Sequence, residues 1–291
     1  MLVSTWLTRV SYALRGTDDD APSIGTDEAN YWLDTLNRKK DELYEDVSIL
    51  WRIAYKSTAP NEPGTVATTG TTTLTGTGTN FNDYAVGDKI VVSGETVRTI
   101  ATITSDMSLT VTVAFSNTAS GKSFTRQTII ATGVEDYNLH RKFLAPAERV
   151  HVTDTDSHRH FYDVIQPQEK DYTSKQVYIS GSEPQILTFT EDTESTEQIV
   201  GGTLFIPGYY LPDDVSTATD TIPLPDPNWG VMAVAAEIAF NDIVYEDKAE
   251  GLNGKANYLY SLMAKKNRRG THNNPRTVPK SYHSNFNPER R

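Results

Sequence analysis

The chain has no cysteine. That excludes disulfide frameworks, cysteine-based zinc sites, iron–sulfur clusters and thiol nucleophiles together, and makes a reducing cytoplasm the simplest compartment for it. It has no apolar run of about eighteen residues, and Arg9 and Arg15 interrupt the stretch from Met1 to Gly16. The sequence therefore predicts neither a membrane span nor a signal peptide. Local signatures of common chemistry are missing too: there is no Gly-x-Ser-x-Gly elbow, no paired-histidine helix and no Walker loop. Among 38 acidic residues no pair stands out as acid and base, so the expectation is a non-enzymatic protein without cofactors.

What is there is a chain of 291 residues, long enough for one large or two to three small domains, with a net charge of −11. The charge is unevenly spread. From Lys265 to Arg291 eight basic residues face the single acid Glu289, while residues 1–264 carry 19 basic and 37 acidic residues, a net −18. Such polarity suits a tail that engages an acidic partner and a body that repels polyanions.

Ser4 as N-cap, Leu7, Val10 and Leu14 at helical spacing and Gly16 at the stop position predict a short first helix. Thr26 caps a longer one, with Asp27 and Glu28 in its first turn and Leu33, Leu36, Leu43, Val47, Leu50 and Ala54 on one face. Running to Ala54, it would be about 40 Å long. From Thr58 the composition turns to Thr and Gly, and alternating strands at 89–92, 97–103 and 109–113, with a turn at Ser105 to Ser108, predict a small β-barrel or sandwich inserted at 64–127. Further short strands (128–131, 149–152, 161–165, 176–179, 186–189 and 203–206) predict a β-rich layer over 128–222, its tyrosines acting mainly as cross-strand packing. Pro207, Pro212, Pro223, Pro225 and Pro227 punctuate an irregular stretch. A second helical part follows at 223–266: one helix through Val231, Val234, Ala235, Ile238, Ile243 and Val244, a break at Gly251 and Gly254, and a last helix around Tyr258, Leu259, Leu262 and Met263. Residues 267–291, with Gly270, Pro275, Pro279 and Pro288, read as an extended basic arm. The predicted class is α+β: a helical core from residues 1–63 and 223–266, a β-rich middle layer, the inserted β module and the extended tail.

Two local clusters invite chemistry. His151, Asp154, Asp156, His158 and His160 are metal-ligand types, but the Asp-Thr-Asp-Ser stretch is favoured as the turn of a polar hairpin. Gly76-Thr77-Gly78 lacks the third glycine and following helix of a phosphate cradle and reads as a β-turn.

Two separated stretches resemble one family. Leu7-Thr8-Arg9-Val10-Ser11-Tyr12-Ala13-Leu14-Arg15-Gly16, followed by Thr26-Asp27-Glu28-Ala29 and Leu33-Asp34-Thr35-Leu36-Asn37, resembles the opening of head-to-tail connector (adaptor) proteins of tailed bacteriophages. Tyr209-Tyr210-Leu211-Pro212-Asp213-Asp214, leading through Ile222-Pro223 and Trp229 into an Ala-rich helix, resembles the Pro-rich lead of those proteins into their late core helix. The two cover about a third of the chain. The block from Val66 to Arg126 departs from the pattern and resembles a small β module that decorates phage virion proteins.

The resemblance implies a virion protein of the neck, assembled in the host cytoplasm. It would form a ring, typically dodecameric, docked under the portal protein, continuing the DNA channel without binding DNA tightly and offering a surface to a neck or tail protein. On that reading Leu33, Leu36, Leu43, Val234, Ala235 and Ile238 pack between subunits. Arg268, Arg269, Arg276, Val278, Lys280, Tyr282, Phe286, Arg290 and Arg291 form the arm that fastens to the portal. The alternatives are another neck, collar or tail component, and a carbohydrate-binding adhesin, which would need an aromatic row on an exposed β face.

Overall fold

The computed structural model describes residues 1–18, 20–45, 54–147, 149–169, 175–181, 184–190 and 199–272. The fold is α+β, and the described residues divide into two compact units. One holds residues 1–55 and the described part of 211–278, and the other holds 56–210. No helix among the described residues is long and apolar enough to cross a membrane.

The first unit is helical and draws on both ends of the chain. Helix α1 (Val3–Arg15) buries Val3, Trp6, Leu7, Val10 and Leu14 on one face. It starts two residues earlier than a Ser4 cap allows, with Leu2 in the N-cap position. Tertiary bonds replace the cap: the Val3 amide donates to Asp220 O at 2.9 Å and the Ser4 amide to Ala218 O at 3.3 Å. Gly16 ends the helix in the left-handed conformation (φ 81°), its N–H donating to Tyr12 O. Helix α2 (Asp27–Glu45) starts as expected, with Thr26 Oγ1 accepting from the Ala29 amide at 3.3 Å. The expected continuation to Ala54 lies outside the described residues.

One face of α2 carries polar residues at helical spacing, and they hold the proline-rich segment. Asn37 exchanges two bonds with the Val215 backbone, Lys40 Nζ donates to Pro212 O at 3.0 Å and to Asp214 at 2.5 Å, and Tyr44 Oη donates to Pro223 O at 2.8 Å. A segment with no ladder of its own thus has several of its backbone groups satisfied by side chains. It delivers the chain to Asp226, which caps the α3 helix (Pro227–Asn241) by accepting from the Asn228 amide. Helix α3 is buried along most of its length and packs on α1 and α2. Gly230 makes that approach possible, since a Cβ there would sit 2.6 Å from Leu224 Cδ1 and 3.2 Å from Leu36 Cδ1.

Helix α4 (Glu246–His272) corrects two expectations. Gly251 and Gly254 do not break it, and the helix continues six residues into the segment predicted as extended. Each glycine costs about 1 kcal/mol of helix propensity. Ala249, Leu252, Ala256 and Met263 form a buried seam, and α4 packs extensively on α3, which outweighs that cost. The basic residues Lys265 and Lys266 lie exposed toward its C-terminal end, where positive charge suits the helix dipole.

At the border of the units lies the two-residue strand β1 (Tyr55–Lys56). The second unit opens with β2 (Thr65–Thr69), β3 (Thr73–Thr77), β4 (Lys89–Val92), β5 (Arg98–Ser105), β6 (Ser108–Val111), β7 (Thr118–Lys122) and β8 (Phe124–Gln127). They form one antiparallel sheet in the order β7-β2-β3-β6-β5-β4-β8. Its two edge strands, β7 and β8, are separated in the chain by Ser123 alone, so the sheet has to curl until its edges approach. Leu74, Phe81, Ile90, Ile100, Leu109 and Phe124 fill its interior.

The layer beyond contains β9 (Asp136–Asn138), β10 (Phe143–Pro146), β11 (Val150–Thr153), β12 (Arg159–Ile165), β13 (Gln176–Ser180), β14 (Ile186–Phe189), β15 (Thr203–Phe205) and β16 (Gly208–Tyr210). Six of these pair in the order β15-β11-β12-β13-β14-β9, antiparallel except for β12 with β13, while β10 pairs with β16. Val150, Val152, Tyr162, Val177, Leu187 and Phe189 are the core of this layer.

The α2 clamp generates a stability prediction. Asn37→Ala removes both partners of the Val215 backbone and is expected to cost about 1–3 kcal/mol. Amide exchange at Val215 should accelerate more than at Val10; unchanged exchange at Val215 would show that the clamp does not hold the segment.

Candidate functional site

The predicted site residues fare differently. Arg276, Val278, Lys280, Tyr282, Phe286, Arg290 and Arg291 lie outside the described residues, and Arg268 and Arg269 belong to the last turns of α4. Leu33, Leu36, Leu43, Val234, Ala235 and Ile238 are buried inside the chain's own helical unit. Their helical spacing marked a packing face correctly but carried no information on what packs there, and the assignment to subunit contacts is corrected. The apolar side chains left exposed in this unit include Phe240, Ile243 and Val244, where α3 turns into α4.

The histidine and aspartate cluster is the expected hairpin. Strands β11 and β12 pair antiparallel, and Asp154 organises their turn: Oδ1 accepts from the Asp156 and His158 amides at 2.9 and 2.8 Å, and Oδ2 lies 2.9 Å from His160 Nε2. Ser157 takes a positive φ of 71°. The His160 bond and the two amides hold the Asp154 carboxyl below its usual range. No group of three or more metal-ligating side chains that could hold an ion occurs among the described residues.

The most concentrated buried chemistry was not singled out from the sequence. Glu62, Asp88, Arg126 and His140 come from a connecting segment, a turn, strand β8 and a loop, and they meet where the curled sheet joins the following layer. Arg126, on β8, is central. Its Nη1 donates to Asp83 O at 3.0 Å and its Nη2 to Asn138 O at 2.9 Å. Its Nε lies 3.5 Å from Glu62 Oε1, its Nη1 3.9 Å from Asp88 Oδ2, and its guanidinium 4.7 Å above the Tyr84 ring. Asp88 accepts from the Ile129 amide at 2.9 Å and the Ala85 amide at 3.1 Å, so one carboxylate binds backbone on both sides of the junction. Beside it Arg141 pairs with Asp83 at 2.5 Å.

His140 completes the group. Its Nδ1 accepts from the Lys142 amide at 3.0 Å, which places the ring proton on Nε2, 3.1 Å from Asn61 O and 3.6 Å from Glu62 Oε2. Burial lowers the His140 pKa; Glu62 opposes the shift, while Arg126 and Lys142 reinforce it. Burial raises the Asp88 pKa, against the pull of Arg126 and the two amides. A cavity of about 230 Å³ adjoins the cluster, lined by Glu62, Arg126, Asn138, His140, Phe143 and Tyr210 among others. With the polar atoms of Arg126 and His140 committed to backbone partners, the arrangement is suited to holding the junction together more than to turning over a substrate.

A scan of the chain against protein-family models finds no match, and a search of curated proteins finds none either.

Two predictions follow from the geometry of this cluster. Arg126→Met leaves Glu62 and Asp88 buried without their cation and is expected to cost about 3–5 kcal/mol, measured by urea unfolding. The His140 imidazole, depressed in the folded state, is neutral there while the unfolded chain already takes up protons near its ordinary value of about 6.5. Its contribution is therefore full above that pH and is lost as pH falls toward the folded value. Asp88 acts oppositely: its raised pKa makes ionised Asp88 a cost at neutral pH, relieved on further acidification. Scanning calorimetry should show a Tm decline from pH 7 to 5.5 that shrinks in His140→Gln; an unaltered decline would exclude His140 as its source.

Proposed function

We propose that this chain is a structural protein of a tailed-phage virion, a head-to-tail adaptor that assembles as a ring under the portal, continues the DNA channel and offers a surface to the neck or tail. The observation that carries the reading is the meeting of the two stretches that resemble adaptors, although about 170 residues of sequence separate them. Asn37, Lys40 and Tyr44 of α2 bind the backbone at Val215, Pro212 and Pro223, and the same segment leads into α3. The net −18 of residues 1–264 supports a channel past which DNA slides, since tight duplex binding depends on neutralising phosphates with Lys and Arg. The inserted β module would project a further contact surface for a neighbouring virion protein.

One observation favours the adhesin as a second reading. Phe161, His151 and Phe205 form a cross-strand aromatic row on β12, β11 and β15, with ring centroids 5.5 and 5.1 Å apart and Phe161 48% exposed. Aromatic faces of this kind also suit protein contacts, and the adaptor reading accommodates the row.

The test is the assembly state of the purified chain, alone and with portal rings, by negative-stain electron microscopy and sedimentation velocity. A ring that co-sediments with portal is expected, and truncation after His272, which keeps α4 whole and removes the rest of the basic arm, should abolish that association. A monomer that ignores portal and binds immobilised glycans would replace the adaptor with the adhesin.

A further inference from the structure

The end of α3 and the turn into α4 expose three large apolar side chains within five residues: Phe240 is 56%, Ile243 87% and Val244 69% exposed. Single exposed apolar residues are ordinary, but three within five residues on an ordered corner are not. The corner is held in place. Asp242 Oδ1 accepts from the Val244 amide at 3.0 Å and Asp242 O from the Tyr245 amide at 3.0 Å. Arg15 Nε donates to Tyr245 Oη at 3.3 Å and Lys248 Nζ to Leu14 O at 2.6 Å, tying the start of α4 to the end of α1. Ile243 and Val244 thus stand on a pre-organised turn, which lowers the ordering cost of binding.

The surroundings of the corner are largely acidic. Asp242, Glu246, Asp247 and Glu250 lie there, while of the two cations close by Lys248 spends its ammonium on the Leu14 carbonyl and Arg15 is paired with Glu28. Toward the other end of α4, about 30 Å away at about 1.5 Å per residue, the helix presents the exposed Lys265 and Lys266, with the exposed Tyr258 two turns before them. The helix dipole by itself favours acids at one end and bases at the other. It does not account for three exposed apolar side chains at the acidic end.

We propose that this corner is one half of a head-to-tail contact between copies of the chain, and that its occupant is the basic end of α4 of the next copy. The inference rests on the ring reading and names its interface. Because the two halves are different surfaces, each added copy leaves one corner and one basic end free, and such a contact closes into a ring when the rotation permits. Apolar burial at Ile243 and Val244 supplies the core of the contact, and the acidic and basic groups around it fix the direction of assembly.

The experiment is sedimentation velocity of the full chain across a concentration series, with thermal unfolding of each variant as a fold control. Ile243→Asp with Val244→Asp should raise the assembly midpoint about tenfold or more without lowering Tm, since both side chains are exposed in the free chain. Lys265→Glu with Lys266→Glu should do the same, and adding Glu246→Lys with Asp247→Lys to that variant should restore assembly. Corner variants that assemble like the wild type would overturn the contact and leave the ring reading standing. Loss of assembly in the lysine variant without rescue by the charge swap would overturn the basic end as the occupant. A wild-type chain that stays monomeric throughout, with portal present or absent, would overturn the ring and the contact together.

Discussion

A buried ammonium has to be paired, and the helical unit is arranged around one. Lys40 is 1% exposed on α2, and its charge is met by the Pro212 carbonyl and Asp214. That requirement brings a stretch late in the chain against a helix near its beginning. Asn37 and Tyr44, one helical turn to either side on the same face, extend the attachment from Val215 to Pro223. Once the proline-rich segment lies there, α3 begins at a defined point over Trp6 and Leu36, and α4 packs on α3. The polar face of α2 thus performs a task usually given to a hydrophobic seam: it selects which distant segment comes home.

The second unit follows the same logic around Arg126. A guanidinium can satisfy several acceptors in one plane, and here it binds the Asp83 and Asn138 carbonyls while sharing its charge between Glu62 and Asp88. Asp83 and Asp88 lie in the connection between β3 and β4 of the curled sheet, Asn138 ends β9 of the layer beyond it, and His140 lies in the loop after β9. The curled sheet is therefore joined to the following layer by a buried polar junction as well as by the chain itself.

Apolar side chains in the helical unit divide between its core and its surface. The regular faces of α1, α2 and α3 are consumed in the core of the chain itself. What stays exposed where α3 turns into α4 is irregular in sequence, a few residues long, and becomes visible only as an exposure. The aromatic row on β11, β12 and β15 is of the same kind, made by strand register and not by any local motif.

Local rules made much of the secondary structure legible in advance. Thr26 and Gly16 marked helix ends because capping is a short-range bond; the alternation at Leu109 and Val111 marked a strand because side chains alternate across a sheet; and Asp154 marked a turn because its carboxylate reaches amides two and four residues on. Where local rules failed, tertiary contacts had replaced them: Val3 and Ser4 are satisfied by Asp220 and Ala218, and Gly251 and Gly254 stay helical because α4 is packed on α3. The sequence by itself determined the α+β class, the two helical ends and the β-rich middle, since each depends on periodicity within a few residues. Only the tertiary structure decided that Glu62, Asp88, Arg126 and His140 share a junction, that Leu36 and Val234 face inward and that Ile243 faces out. Pairing of charges and burial of surface depend on what lies across space, and residue spacing along the chain does not encode that.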